Sequence, residues 1–144
     1  MDYSYHNKLV NFIWSIADDC LRDVYVRGKY RDVILPMTVL RRLDALLEPT
    51  KEKVLEELRF QKEELKLKEL DTKALQEASG YIFYNTSKWT MKSLYQSATN
   101  SMQILKENFF EYLNGFSPNV KEIIEKFKLY QQIEHISILL LYII

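Results

Sequence analysis

The chain has one cysteine, two histidines, three glycines and three prolines in 144 residues. Each scarcity removes a class of function. A single cysteine rules out a disulfide framework and a cysteine-rich zinc site, and it points to a reducing compartment. His6 and His135 stand at opposite ends, with no HExxH or CxxC spacing, so no metal site can be written from the sequence. Gly28, Gly80 and Gly115 lie too far apart for a glycine-rich phosphate loop. An excess of one charge is also missing: 20 basic and 20 acidic side chains give a net charge of zero, unlike the basic balance of a free-standing DNA-binding domain. No basic-then-apolar leader opens the sequence. The most apolar run, Ile136–Ile144, is far shorter than the about 20 residues a membrane-spanning helix needs. It reads as a buried helix cut off by a truncated chain, with a tail anchor the alternative if the chain continued, and no membrane partner is expected.

What is present is a core. At 47% apolar and 13% aromatic, the composition is too hydrophobic for disorder. The length suits one domain that buries roughly 68–70% of its unfolded surface. From Asn7 to about Val24, a stripe of Leu9, Ile13, Ile16, Ala17 and Cys20 recurs at helical spacing, and Gly28 is placed to close it. Cys20 on that stripe reads as a core residue. Asp32 is the expected N-cap of a second helix reaching about Glu48, with Val33, Met37, Leu40, Leu43 and Leu47 inside and Arg41, Asp44 and Glu48 in water. Pro36 either delays the start to Leu35 or bends the helix, and Pro49 ends it.

Thr50–Leu70 reads as a long solvated helix. Its seam of Val54, Leu58 and Leu65 is broken by Gln61, and Arg59–Glu63 and Glu64–Lys68 are spaced to pair. Tyr81-Ile-Phe-Tyr84, bounded by turn formers, predicts a short extended segment. A helix follows through Tyr95, Ala98, Met102, Leu105, Phe109 and Leu113, stopping at Asn114-Gly115. Ser117-Pro118 opens the next, which buries Val120, Ile123, Ile124 and Phe127. Gln131–Ile144 supplies the last. The expected fold is all-α, a bundle of six to seven helices with one short extended segment near residues 81–84.

No catalytic constellation appears in these elements. Glu107 and Glu111 share a helix face, but Lys106 and Asn108 beside them mark it as solvated. The aromatic run at 81–84 with Lys88-Trp89 has the composition of a base-stacking platform, yet aromatics this dense more often form core. Charge distribution is more informative. Residues 22–42 carry a local net charge of +4 and residues 43–79 a local net of −3. A basic stretch of this kind contacts phosphates without reading sequence; the alternative is an ordinary turn with local ion pairs.

Ile13-Trp-Ser-Ile-Ala-Asp18, Gly28-Lys-Tyr-Arg-Asp-Val-Ile-Leu-Pro-Met-Thr-Val-Leu-Arg-Arg-Leu-Asp44, the aromatic stretch at 81–84 with Trp89, and Phe116–Phe127 together resemble a known family. It is the N-terminal helical domain of the methyltransferase (M) subunit of type I restriction-modification systems. The resemblance runs in order over nearly the whole chain, residues 1–144. It implies a parent enzyme that transfers a methyl group from S-adenosylmethionine to adenine N6 in a DNA site. The Asn/Asp-Pro-Pro-Tyr/Phe motif and cofactor loop of such an enzyme are missing from this sequence. No catalytic, cofactor or metal residue is therefore expected here, and the catalytic domain lies outside this chain. The resemblance also implies a cytoplasmic assembly with a specificity subunit, a second M subunit and double-stranded DNA, with a restriction subunit as a further partner. Within it the domain would act as an assembly and DNA-clamp module. Arg27, Lys29, Arg31, Arg41 and Arg42 are the DNA-phosphate candidates, and the charged Thr50–Leu70 helix is the partner candidate. A purely structural protein-interaction module without DNA contact is the alternative.

Overall fold

The computed structural model describes residues 3–21, 31–97 and 101–132. Seven α-helices lie among them: α1 (Tyr3–Leu21), α2 (Arg31–Leu47), α3 (Lys51–Arg59), α4 (Thr72–Ser79), α5 (Met91–Ser97), α6 (Met102–Asn114) and α7 (Pro118–Lys126). The all-α expectation holds.

α2 starts at Arg31, so Asp32 lies in its first turn rather than at the cap. The helix runs through Pro36, and the Thr38 hydroxyl donates to the Ile34 carbonyl at 2.8 Å one turn below. Pro36 itself is buried, so the apolar contact of its ring offsets the missing hydrogen bond. Pro49, lacking an N–H to give to the preceding turn, ends α2 as expected, but only for one 3₁₀ turn (Glu48–Thr50) before α3 begins. The Thr50 hydroxyl donates to the Ser79 carbonyl at 2.9 Å, which fastens this corner to the end of α4.

The long helix expected over Thr50–Leu70 is interrupted. α3 widens into a π-helical turn at Phe60–Glu64 and stops, with Lys66 left-handed at φ 50°. Glu64 and Lys68 therefore sit across a helix end. Gln61, expected to break an apolar seam, is fully buried, and its side chain receives the returning chain. Its amide donates to the Glu57 carboxylate and the Asp71 carbonyl, and its carbonyl accepts from the Asp71 N–H at 2.8 Å. A side-chain amide can satisfy a donor and an acceptor at once, which no apolar residue in that place would do. The return leads into α4, a helix the hydrophobic pattern did not reveal. Its signals are local: Asp71 caps the N–H groups of Lys73 and Ala74, and Gly80 closes the helix at φ 80°.

The expected extended segment lies one step later. Asn85 forms an isolated antiparallel bridge with Phe116; the Thr86 N–H donates to the Gly115 carbonyl at 2.7 Å, and the Ser117 N–H to the Tyr84 carbonyl at 2.9 Å. The single helix predicted over 95–113 is two, α5 and α6, because Ser101 caps a new start. α7 opens at Pro118 as expected. The Ser117 hydroxyl is used differently: it accepts from the Tyr84 N–H and bonds the Asn119 side chain rather than capping the helix.

The main core joins Met37, Leu40 and Leu47 of α2 to Met91 and Leu94 of α5, Leu105, Phe109, Tyr112 and Leu113 of α6, and Val120 and Ile124 of α7. A smaller cluster of Val54, Leu75 and Tyr84 holds α3 to α4 and to the extended segment. Tyr84 is thus core, whereas Tyr81 and Ile82 are exposed. Two groups depart from the sequence expectation. Leu9 and Ile13 of α1 stay exposed, as do Ile123 of α7 and Phe127 just after it. Their periodicity is helical as predicted, but periodicity fixes only a face, and no described element covers these faces. Cys20 lies outside the described side chains; of the helix expected over Gln131–Ile144, Gln131 and Gln132 belong to a 3₁₀ turn (Tyr130–Gln132) and the rest lies outside the described residues.

Candidate functional site

The phosphate candidates meet the structure unevenly. Arg27 and Lys29 lie outside the described residues, and Arg31 opens α2 with its side chain likewise undescribed. Arg41 and Arg42 are exposed on α2. Successive helical positions differ by about 100°, so the two arginines face apart, whereas positions 31, 38 and 42 fall within about 40° of one another on the outer side. Arg41 is tied down: its guanidinium lies 3.5 Å from the Asp44 carboxylate.

Asp44 is the residue that the sequence reading misplaced. Expected in water opposite the core, it is 6% exposed. Its position borders the Leu40–Leu47 stripe, and the core reaches further around α2 than that stripe suggests. One carboxylate oxygen accepts the Met91 N–H at 3.1 Å and the Tyr112 hydroxyl at 3.0 Å. Met91 is the first residue of α5, so a carboxylate from α2 takes one of the orphan N–H groups at another helix's positive end. Thr90 and Ser93 cap that same end reciprocally. Burial pushes the Asp44 carboxyl above the usual carboxylate range, against the pull of the Met91 and Tyr112 hydrogen bonds and of Arg41 and Lys51.

Lys51, the first residue of α3, is 8% exposed. Its ammonium donates to the Asn85 side-chain and main-chain oxygens at 3.3 and 3.5 Å. Burial lowers its pKa to about 8, and the Asp44 and Glu52 charges oppose the shift. Asn85 in turn donates to the Tyr112 carbonyl at 2.9 Å and accepts from the Ser87 N–H and hydroxyl. Burial and then the Asp44 charge push the Tyr112 phenol well above its ordinary range. Gly115 permits the close approach: a Cβ there would meet Asn85 Oδ1 and Ser87 N at 2.6 Å.

Asp44, Lys51, Asn85, Ser87 and Tyr112 therefore form one buried polar network joining α2, α3, α5, α6 and the bridge. Asparagine in an Asn-Thr-Ser run and a tyrosine at a core position are the only sequence signals for it. Every buried polar side-chain atom among the described residues has a partner, and no cluster of metal-ligating residues occurs among them. A satisfied, closed network holds helices; it leaves no group aimed at a substrate. Glu111, considered above with Glu107, is engaged elsewhere by the Trp89 indole N–H at 2.8 Å. Among the described residues, no helix is long and apolar enough to cross a membrane.

These features define an all-α helical domain in which the exposed arginines of α2 sit on a helix pinned from inside. Residues 9–141 match the family model of the HsdM N-terminal domain. The chain belongs to that family, the N-terminal domain of the methyltransferase subunit of type I restriction-modification systems. No curated protein and no solved structure matches it.

Proposed function

We propose that the domain serves as an assembly and DNA-clamp element of a site-specific adenine-N6 DNA methyltransferase complex. In this reading the catalytic and S-adenosylmethionine-binding residues lie outside this chain, and the partners are a specificity subunit, a second M subunit and double-stranded DNA, in the cytoplasm. The observation that carries it is the exposed pair Arg41 and Arg42 on α2, a helix that the buried Asp44 fixes to α5 and α6. Cations on a rigid helix meet a phosphate backbone without first losing the entropy of ordering the chain. Arg42 is the principal contact, with no ion pair or hydrogen bond of its side chain among the described residues, whereas Arg41 shares its charge with Asp44.

DNA affinity of the assembled complex, measured against salt, tests this. Each lost phosphate contact lowers the slope by about one. Arg42→Ala is expected to do so, and Lys29→Ala with Arg31→Ala to lower it further. An unchanged slope in all three variants would leave the purely structural interaction module, which the exposed Leu35 and Val39 on the same helix favour.

A further inference from the structure

Helix α1 (Tyr3–Leu21) is divided lengthwise into an apolar and a polar side. Tyr5, Leu9, Phe12 and Ile13 fall within about 100° of one another around its axis, with Asn7, Lys8, Asn11 and Ser15 opposite. Tyr5 and Phe12 are 66% and 60% exposed, and Leu9 and Ile13 are exposed beside them. Helices in proteins draw most of their stability from packing such a face, so an exposed one calls for a partner.

We infer that α1 pairs antiparallel with α1 of a second copy of this chain, about a two-fold axis at Ile13. The area fits a dimer. The four apolar side chains offer on the order of 400 Å² per copy. A standard interface takes about 800 Å² from each partner, a little over half of it apolar. Charge sets the direction. Lys8 lies five residues before Ile13 and Asp18 five residues after it. Antiparallel pairing therefore brings Lys8 of each copy level with Asp18 of the other, twice over, as an isologous contact requires. A parallel pair would set lysine beside lysine and Asp18-Asp19 beside the same two residues. The helix dipoles also favour the antiparallel arrangement. Nucleic acid and acidic membranes are poor matches, because α1 carries one lysine against two aspartates. The pairing rests on the proposed reading in one respect, that the second copy is the second M subunit; it involves no DNA.

Sedimentation equilibrium of the full chain without DNA provides the test, so its result is independent of the salt slope of the phosphate contacts. A monomer–dimer equilibrium is expected at micromolar concentration. Phe12→Glu with Ile13→Glu should abolish the dimer while cooperative unfolding persists, since both side chains are exposed in the single copy. Ile13→Cys in a Cys20→Ser background should oxidise to a covalent dimer, because the axis brings the two copies of residue 13 together. Tyr3→Cys in the same background should not, since antiparallel pairing holds its two copies about 30 Å apart. A monomer at tens of micromolar, a dimer that survives the two glutamates, or cross-linking through residue 3 would each overturn the pairing.

Discussion

The carboxylate of Asp44 and the hydroxyl of Tyr112, 68 residues apart in sequence, meet at 3.0 Å inside the core. The contact joins α2 to α6, and the same carboxylate oxygen holds the start of α5. Asp44 thus determines how the arginine-bearing helix is set against the rest of the bundle. Replacing it with Ala strips acceptors from the Met91 N–H and the Tyr112 hydroxyl and leaves Lys51 buried without the larger of its two opposing charges. Loss of one member of such a network costs about 3–5 kcal/mol. Tyr112→Phe removes one hydrogen bond and should cost about 1 kcal/mol. Urea unfolding of both single variants and the double variant should reveal a positive coupling energy; strict additivity would contradict the pairing.

Lys51 makes the domain's stability depend on pH in an unusual direction. Its folded-state pKa of about 8 lies below the ordinary 10.5, so between these values the unfolded chain binds more protons. Stability from this group therefore rises as pH increases from about 8 toward 10.5, by about 3 kcal/mol at most. Above about pH 10 the buried Tyr112 phenol works against the gain, because the unfolded chain loses that proton first. Denaturation midpoints should accordingly climb between pH 8 and 10. In Lys51→Met this climb should disappear, while a persisting climb would assign it to another group.

Gly115 and Gly80 are required for different reasons, and alanine separates them. At Gly115 an added Cβ meets Ser87 main-chain nitrogen and Asn85 Oδ1 at 2.6 Å, so the bridge must move; a loss of about 1–3 kcal/mol is expected. At Gly80 there is open space around the Cβ, and the penalty is the positive φ of 80°, about 1–2 kcal/mol. Thermal unfolding should rank Gly115→Ala as the equal or worse substitution. Hydrogen exchange at Thr86 and Ser117 should accelerate only in the Gly115 variant.

Gln61→Leu keeps the volume of the side chain but abandons both polar groups of Asp71. Because Asp71 is exposed, water replaces part of the lost bonding, and the cost should be about 1–2 kcal/mol. The local effect is the more telling measurement. Proteolysis between Leu65 and Leu70 should quicken while α5 to α7 remain protected.

The sequence made the helical class legible because apolar residues recur at helical spacing. The same periodicity placed Met37, Leu40 and Leu47 of α2 and Val120 and Ile124 of α7 in the core. It located the α7 start because a Ser-Pro pair has few other uses. α4 escaped notice because its eight residues carry little periodicity and depend on a cap and a left-handed glycine instead. Asp44 and Gln61 depart from their expected exposure for one shared reason. A polar side chain is expected in water unless a partner is known, and their partners lie on other segments: Met91 and Tyr112 for Asp44, Asp71 for Gln61.

Local chemistry, written in spacing, caps and breakers, therefore determined the all-α class, the starts of α3 and α7 and the absence of a glycine-rich loop. The family could also be expected, since its motifs are contiguous runs. Only the tertiary structure decided which polar groups are buried, and that Arg41 is tied to Asp44 while Arg42 stays exposed. Those outcomes depend on segments brought together from distant positions, where the desolvation cost of a charge is offset only when all of its hydrogen-bond partners arrive together.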